Sequence, residues 1–199
     1  IPTSDRDERP MPKIEGNEIR VGNVIEHKGR VWRVLKTEHV KPGKGGAYIQ
    51  LELRDLFDGN KTNDRVRSAE TLERVRLEQR PYQFLFADGD EYTFMDQDTF
   101  EQLTVTREVI GQPAAFLTEG MQVEIEFYNE TPLEVRLPES VTLTVTYAEP
   151  VVKGQTASAS YKSADLENGV RVSVPPHIEE GQKVVVKTAD GSYVEKVKE

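Results

Sequence analysis

The sequence predicts an all-β chain folded as small barrels in series. Short runs of β-branched and aromatic residues recur along its whole length, turn residues separate them at close intervals, and helical periodicity is scarce. Val31-Trp32-Arg33-Val34-Leu35 and Tyr48-Ile49-Gln50-Leu51-Glu52-Leu53 open the series, the second alternating apolar and polar, and Asp58-Gly59 marks the turn after it. Tyr82-Gln83-Phe84-Leu85-Phe86 and Glu91-Tyr92-Thr93-Phe94-Met95 flank Ala87-Asp88-Gly89-Asp90 as a hairpin. Val123–Phe127, Leu133–Leu137 and Val141–Thr146 continue the pattern. Val170–Val174, Lys183–Lys187 and the Asp190-Gly191 turn close it. Strands at this spacing read as small barrels rather than a parallel sheet.

One helix is expected, over Asp98-Thr99-Phe100-Glu101-Gln102-Leu103, where Asp98 and Glu101 stand at capping-box spacing. Trp32, the only tryptophan, is assigned to the core of the first barrel. Two composition shifts divide the chain. Basic sequence gives way to acidic between Arg74 and Glu78, and Leu137-Pro138-Glu139-Ser140 breaks the chain before a fresh alternating strand. The expected domains are therefore 11–75, 76–138 and 139–199. Residues 1–10 read as a leader or cloning remnant, with Met11-Pro12 as a start.

Composition limits function. A chain of 199 residues with 36% hydrophobic and 31% charged residues suits several small domains better than one thick core. The absence of cysteine excludes disulfides, thiolate zinc sites and a cysteine nucleophile. No stretch approaches the ~20 apolar residues that span a bilayer, so the expectation is a soluble, cytoplasmic protein with no membrane partner. The net charge of −9 is unevenly placed. Residues 11–75 carry 13 Lys and Arg against 10 Asp and Glu, whereas residues 76–138 carry 4 against 13. An RNA partner would be met by the first part and resisted by the middle.

The segment His39-Val40-Lys41-Pro42-Gly43-Lys44-Gly45-Gly46-Ala47 is the most informative. Pro42-Gly43 fits the centre of a type II turn with positive φ at Gly43, and Gly45 and Gly46 remove side-chain bulk after Lys44. Read alone, the string also fits a surface hairpin kept soluble by its lysines. A phosphate-binding P-loop is rejected. That motif needs glycine five residues before the lysine and Ser or Thr after it, and the chain has His39 and Gly45.

Val40 to Ala47, at this distance from the start of the chain, resembles the modification loop of the bacterial elongation factor P family. Thr99-Phe100-Glu101-Gln102-Leu103 is similar to a stretch of the family's middle domain. Lys162-Ser163-Ala164, Asn168-Gly169, Val174-Pro175, Ile178 and Gly181 resemble the spaced motif of its last domain. The resemblance runs from about Ile14 to Lys198. It implies an N-terminal SH3-like (KOW-like) barrel, two OB-fold barrels and a tRNA-like L-shaped outline. It also implies a monomer without cofactor or catalysis that binds the 70S ribosome between the peptidyl and exit sites, in contact with ribosomal RNA. Lys44 then occupies the position that a lysyl-modifying enzyme extends by β-lysylation. Lys41, Pro42, Gly43, Gly45 and Gly46 complete a loop directed at the CCA end of peptidyl-tRNA, relieving stalls at consecutive prolines.

The resemblance also implies an exit-site codon-side loop at Gly154-Gln155-Thr156, where Gln155 replaces the family's usual Asp and gives up a charge. Tyr193 and Lys196 are candidate RNA contacts. Lys196 stands where arginine is common, and Tyr193 reads first as a half-buried strand residue. His27, His39 and His177 lack metal-ligand spacing, and Glu124 and Glu126 read as an exposed strand face. Three other readings compete. An elongation factor P-like paralogue fits the Pro-Gly-Lys tip less well. A generic OB-fold RNA binder would set aromatics for stacking away from acid, and a carboxylate hydrolase finds no coherent pocket.

Overall fold

The computed structural model of the chain describes residues 12–151 and 160–198. The regular secondary structure is nearly all strand. In chain order the strands are β1 (Lys13–Glu15), β2 (Val24–His27), β3 (Arg30–Val40), β4 (Tyr48–Asp55), β5 (Lys61–Arg67) and β6 (Thr71–Val75). Then come β7 (Glu78–Asp88), β8 (Glu91–Asp96), β9 (Gln102–Thr106), β10 (Gln122–Tyr128) and β11 (Thr131–Arg136). The last are β12 (Ser140–Ala148), β13 (Lys162–Leu166), β14 (Arg171–Val174), β15 (Lys183–Lys187) and β16 (Tyr193–Lys196). They form a six-stranded sheet ordered β1-β6-β2-β3-β4-β5 and two five-stranded sheets ordered β11-β10-β7-β8-β9 and β14-β13-β12-β15-β16.

Alternation makes the first sheet. In β4, Ile49, Leu51 and Leu53 are fully buried on one face, and they meet Ile14, Ile19, Ile25, Trp32, Val34, Val66 and Leu72. Trp32 is core as expected, and its indole N–H donates to the His27 carbonyl at 2.9 Å. The chain divides into two compact units, one of residues up to 78 with 128–133, the other of 79–127 and 134–199. The second holds one continuous core that includes Phe94, Phe116, Ile125 and Phe127 as well as Val145, Leu166, Val174, Ile178 and Val186.

One turn geometry recurs in each sheet, at residues 55–60, 96–101 and 187–192. The first residue's N–H donates to the last carbonyl (Asp55 to Asn60, 2.8 Å; Asp96 to Glu101, 2.8 Å; Lys187 to Ser192, 2.9 Å). The fifth residue's N–H donates back to the first carbonyl, and that residue is left-handed: Gly59 at φ 74°, Phe100 at φ 61° and Gly191 at φ 74°. In the first two turns the leading aspartate is buried. Its carboxylate accepts two backbone N–H bonds, from Phe57 and Asp58 to Asp55 and from Asp98 and Thr99 to Asp96, at 2.8 and 3.1 Å in each case.

The helix expected over 98–103 is therefore absent. Asp98 caps nothing there, because Asp96 captures its amide. A left-handed residue at position 100 cannot continue a right-handed helix, and Gln102 already begins β9. The single α-helical turn among the described residues lies later, at Arg107–Ile110. The expectation of two exposed glutamates on β10 also fails at one of them. Glu124 is exposed, but Glu126 is buried and accepts a bond from the Gln79 side-chain amide at 3.0 Å. A polar partner satisfies the buried carboxylate, so the alternation of the sequence did not reveal its burial.

Candidate functional site

Strands β3 and β4 run antiparallel up to the pair Val40 and Tyr48, and residues 41–47 bridge them outside the sheet. Three further bonds fix the root of this loop. The Ser68 N–H donates to the Ala47 carbonyl at 3.0 Å, Asn17 to Ser68 at 3.0 Å, and Gly16 to Glu70 at 2.8 Å. Gly16 is required for that joint, since a Cβ there would collide with the Arg67 carbonyl.

Beyond the root no side-chain bond or ion pair among the described residues holds the loop. Residues 41–46 are all exposed. Among the described residues neither Lys41 nor Lys44 is within ion-pair distance of a carboxylate, whereas Lys28 in the same unit is tied to Asp64 at 2.6 Å. The Lys28 ammonium, with His27 Nε2 at 2.8 Å from the same carboxylate, holds Asp64 well below the usual carboxylate range against the opposing effect of burial.

The glycines are the second signal. Positive φ falls on Gly45, at 102°, not on Gly43 as the Pro-Gly pair suggested. The bend runs over Gly43, Lys44 and Gly45, with its left-handed residue just after Lys44, and Lys44 stands at the head of the reversal. Gly43 and Gly46 lie outside the left-handed region, and a Cβ at either would meet no atom within 4 Å. Neither backbone conformation nor internal packing requires glycine at these two places. What a missing side chain provides there is close approach by another molecule.

The remaining sequence-derived sites are scattered. Gly154, Gln155 and Thr156 lie outside the described residues. Tyr193 is partly buried against the core of the second unit, and burial, followed by nearby Tyr161, pushes its phenol pKa up. Core packing thus accounts for it, as read from the sequence. Lys196 is exposed on the edge strand β16, opposite Val184. Among the described residues no group of three or more His, Cys, Asp or Glu side chains is placed to hold a metal ion. No helix there is long and apolar enough to cross a membrane.

Sequence reading missed a cleft at the loop root. It has a volume of about 540 Å³ and is lined by Gly46, Tyr48, Arg65, Val66, Arg67 and Glu70. The Arg65 guanidinium lies over the Tyr48 ring, 5.5 Å from its centroid. The available signal was the basic-apolar-basic triplet Arg65-Val66-Arg67, which becomes meaningful only once β5 is known to pair with β4.

Comparison with known proteins follows this layout. The family models described as the elongation factor P KOW-like domain, OB domain and C-terminal domain match residues 15–72, 77–135 and 141–196. Elongation factor P of Rhizorhabdus wittichii is 56% identical over 182 residues, covering 92% of this chain and 97% of that protein. Elongation factor P of Brucella ovis is also 56% identical, covering 92% and 98%. Among solved structures, eukaryotic translation initiation factor 5A from Methanococcus jannaschii superposes with a TM-score of 0.53 at 22% identity, covering 64% of this chain and 94% of that one. At that identity the likeness concerns the fold alone. Fold and relatives together define a translation elongation factor. The chain belongs to the elongation factor P family.

Proposed function

We propose that this chain binds the 70S ribosome between the peptidyl and exit sites and steadies peptidyl-tRNA with Lys44, promoting peptide-bond formation at consecutive prolines. The observation that carries this is a lysine without an ion pair among the described residues, at the head of a loop reversal, with Gly43 and Gly46 nearby where the fold itself does not need glycine. A lysine engaged by its own protein would have no reach left for a partner.

The physical logic is positioning. Proline fixes φ and lacks the N–H of other residues, which makes it an awkward participant in a constrained chain. Holding the donor end and nascent backbone in reactive geometry removes part of the entropic barrier, and each ~1.4 kcal/mol so removed is about tenfold in rate. A long cation reaches phosphate and ribose oxygens while staying charged. The ribosome performs the chemistry. A modifying enzyme that lengthens Lys44 by a β-lysyl group would add reach and charge. The tip fits such an enzyme as well as it fits RNA, since neither glycine flank obstructs the ammonium. The family resemblance supports Gly154-Gln155-Thr156 as a codon-side contact and Lys196 as an accessory RNA contact.

Toeprinting on a Pro-Pro-Pro message tests the proposal. Native protein is expected to release the stall, and intact-mass analysis reads whether Lys44 is extended. Persistence of the stall with fully modified protein would refute the assignment.

A further inference from the structure

We infer that the cleft at the root of loop 41–47 binds the ribose-phosphate backbone of a single RNA strand, with Arg65 and Arg67 on the phosphates and Tyr48 as its wall. The inference deepens the preceding reading and rests on it for the identity of the strand, which is the one whose end Lys44 approaches.

The placement follows from β5. Its residues pair with β4 as Arg65 with Gln50, Val66 with Ile49 and Arg67 with Tyr48. Val66 is buried in the core of the sheet, so Arg65 and Arg67, two positions apart, stand together on the opposite, exposed face. Side chains two apart on a strand are about 7 Å from each other, comparable to the spacing of consecutive phosphates on an RNA strand. Among the described residues neither guanidinium is in an ion pair. Arg65 is instead steadied on the Tyr48 ring, an aromatic contact that leaves its N–H fork free. A free planar fork suits a phosphate oxygen pair better than an ammonium does.

The cleft is continuous with the site already described, because Gly46 belongs to both loop and lining. It holds one carboxylate, Glu70, against the two guanidiniums. The Glu70 carboxylate accepts the Arg67 backbone N–H at 3.2 Å, which occupies it in fixing the turn. A strand lying in the cleft would pass Gly46 and continue to Lys44, so that root and tip read one backbone.

Two assays on full-length protein of one verified modification state test this. In the first, a short fluorescent single-stranded RNA is titrated by anisotropy at several salt concentrations. Arg65→Ala/Arg67→Ala is expected to bind at least tenfold more weakly, with a log–log salt slope shallower by about 1.4, two contacts at ~0.7 each. Arg65→Lys/Arg67→Lys is expected to recover the slope but only part of the affinity, and Glu70→Gln to bind as tightly as wild type or tighter. In the second, stalled ribosomes on a Pro-Pro-Pro message are titrated. The double alanine variant is expected to need a higher concentration for half-maximal release with its plateau kept, whereas Lys44→Ala loses the plateau. Wild-type affinity and slope for the double alanine variant would overturn the cleft assignment while leaving the Lys44 reading intact. Slower modification of that variant with unchanged RNA binding would also overturn it, making the cleft a protein dock. No release by wild-type protein would refute the functional reading, and the anisotropy result would still decide the cleft.

Discussion

Loop 41–47 and turn 96–101 join neighbouring strands in the same antiparallel manner, yet they are opposites. The turn satisfies itself. Asp96 is buried, its carboxylate caps two amides, and its own N–H and C=O close the ring of backbone bonds. That bonding is tight enough to hold Phe100 at φ 61° with its ring exposed, where the equivalent turns use Gly59 and Gly191. The loop does the reverse. Its root is bonded to Ser68, while its tip has open space at three glycines and a lysine without an ion pair among the described residues. Turn 96–101 spends its polar groups on the protein, whereas Lys41 and Lys44 of loop 41–47 have no ion pair among the described residues. An element whose bonds are all internal reports on stability, whereas one with unspent groups reports on binding.

The sharpest way to break this comparison is Lys44→Ala. Release of a polyproline stall is expected to fall more than tenfold, about 1.4 kcal/mol or more, with an unchanged thermal midpoint. Loss of stability alongside activity would mean the tip is bonded after all.

Asp96→Ala should behave oppositely. Denaturant titration is expected to show a loss of roughly 1–3 kcal/mol, because two backbone amides lose a charged acceptor, with activity per folded molecule retained. The effect has a pH signature. Burial works to raise the Asp96 pKa, and the amides of Asp98 and Thr99, with the Tyr82 hydroxyl and the Arg80 charge, together outweigh it, leaving the group below its ordinary value. A depressed folded pKa means that the stabilisation is complete above the ordinary carboxylate range and is lost as pH falls through the folded value. The gap between wild type and Asp96→Asn is therefore expected to close in acid, and a gap constant down to low pH would contradict the capping role.

Phe100→Gly should raise stability by about 0.5–1 kcal/mol, since glycine takes left-handed φ without the cost borne by a side chain. A loss instead would show that the exposed ring packs on something. Gly46→Ala is expected to have the smallest effect on stability, within ~0.5 kcal/mol, while lowering activity several-fold. A variant that keeps full activity would mean that no surface approaches that point.

Much of this protein was legible early. The strands at 48–53, 82–86, 91–95, 141–146 and 183–187 follow from alternation and turn residues alone, and so does the buried Trp32. The run Pro42-Gly43-Lys44-Gly45-Gly46 marks the loop before any coordinate is known, because proline and glycine restrict or free the backbone locally. Local chemistry, however, could not decide which glycine takes the left-handed conformation, because φ at 43 and 45 depends on how β3 and β4 aim the two ends of the loop. It could not separate a helix cap from a turn at Asp98, since the deciding acceptor was the buried carboxylate of Asp96. It could not join Arg65 and Arg67 to Gly46 and Tyr48, because that cleft exists only across paired strands. Sequence by itself determined the most clearly alternating strands and the glycine-flanked setting of Lys44, properties set within a few residues. Tertiary structure decided which polar groups are spent inside the fold and which are left over, because only pairing between distant segments shows what each donor and acceptor has found.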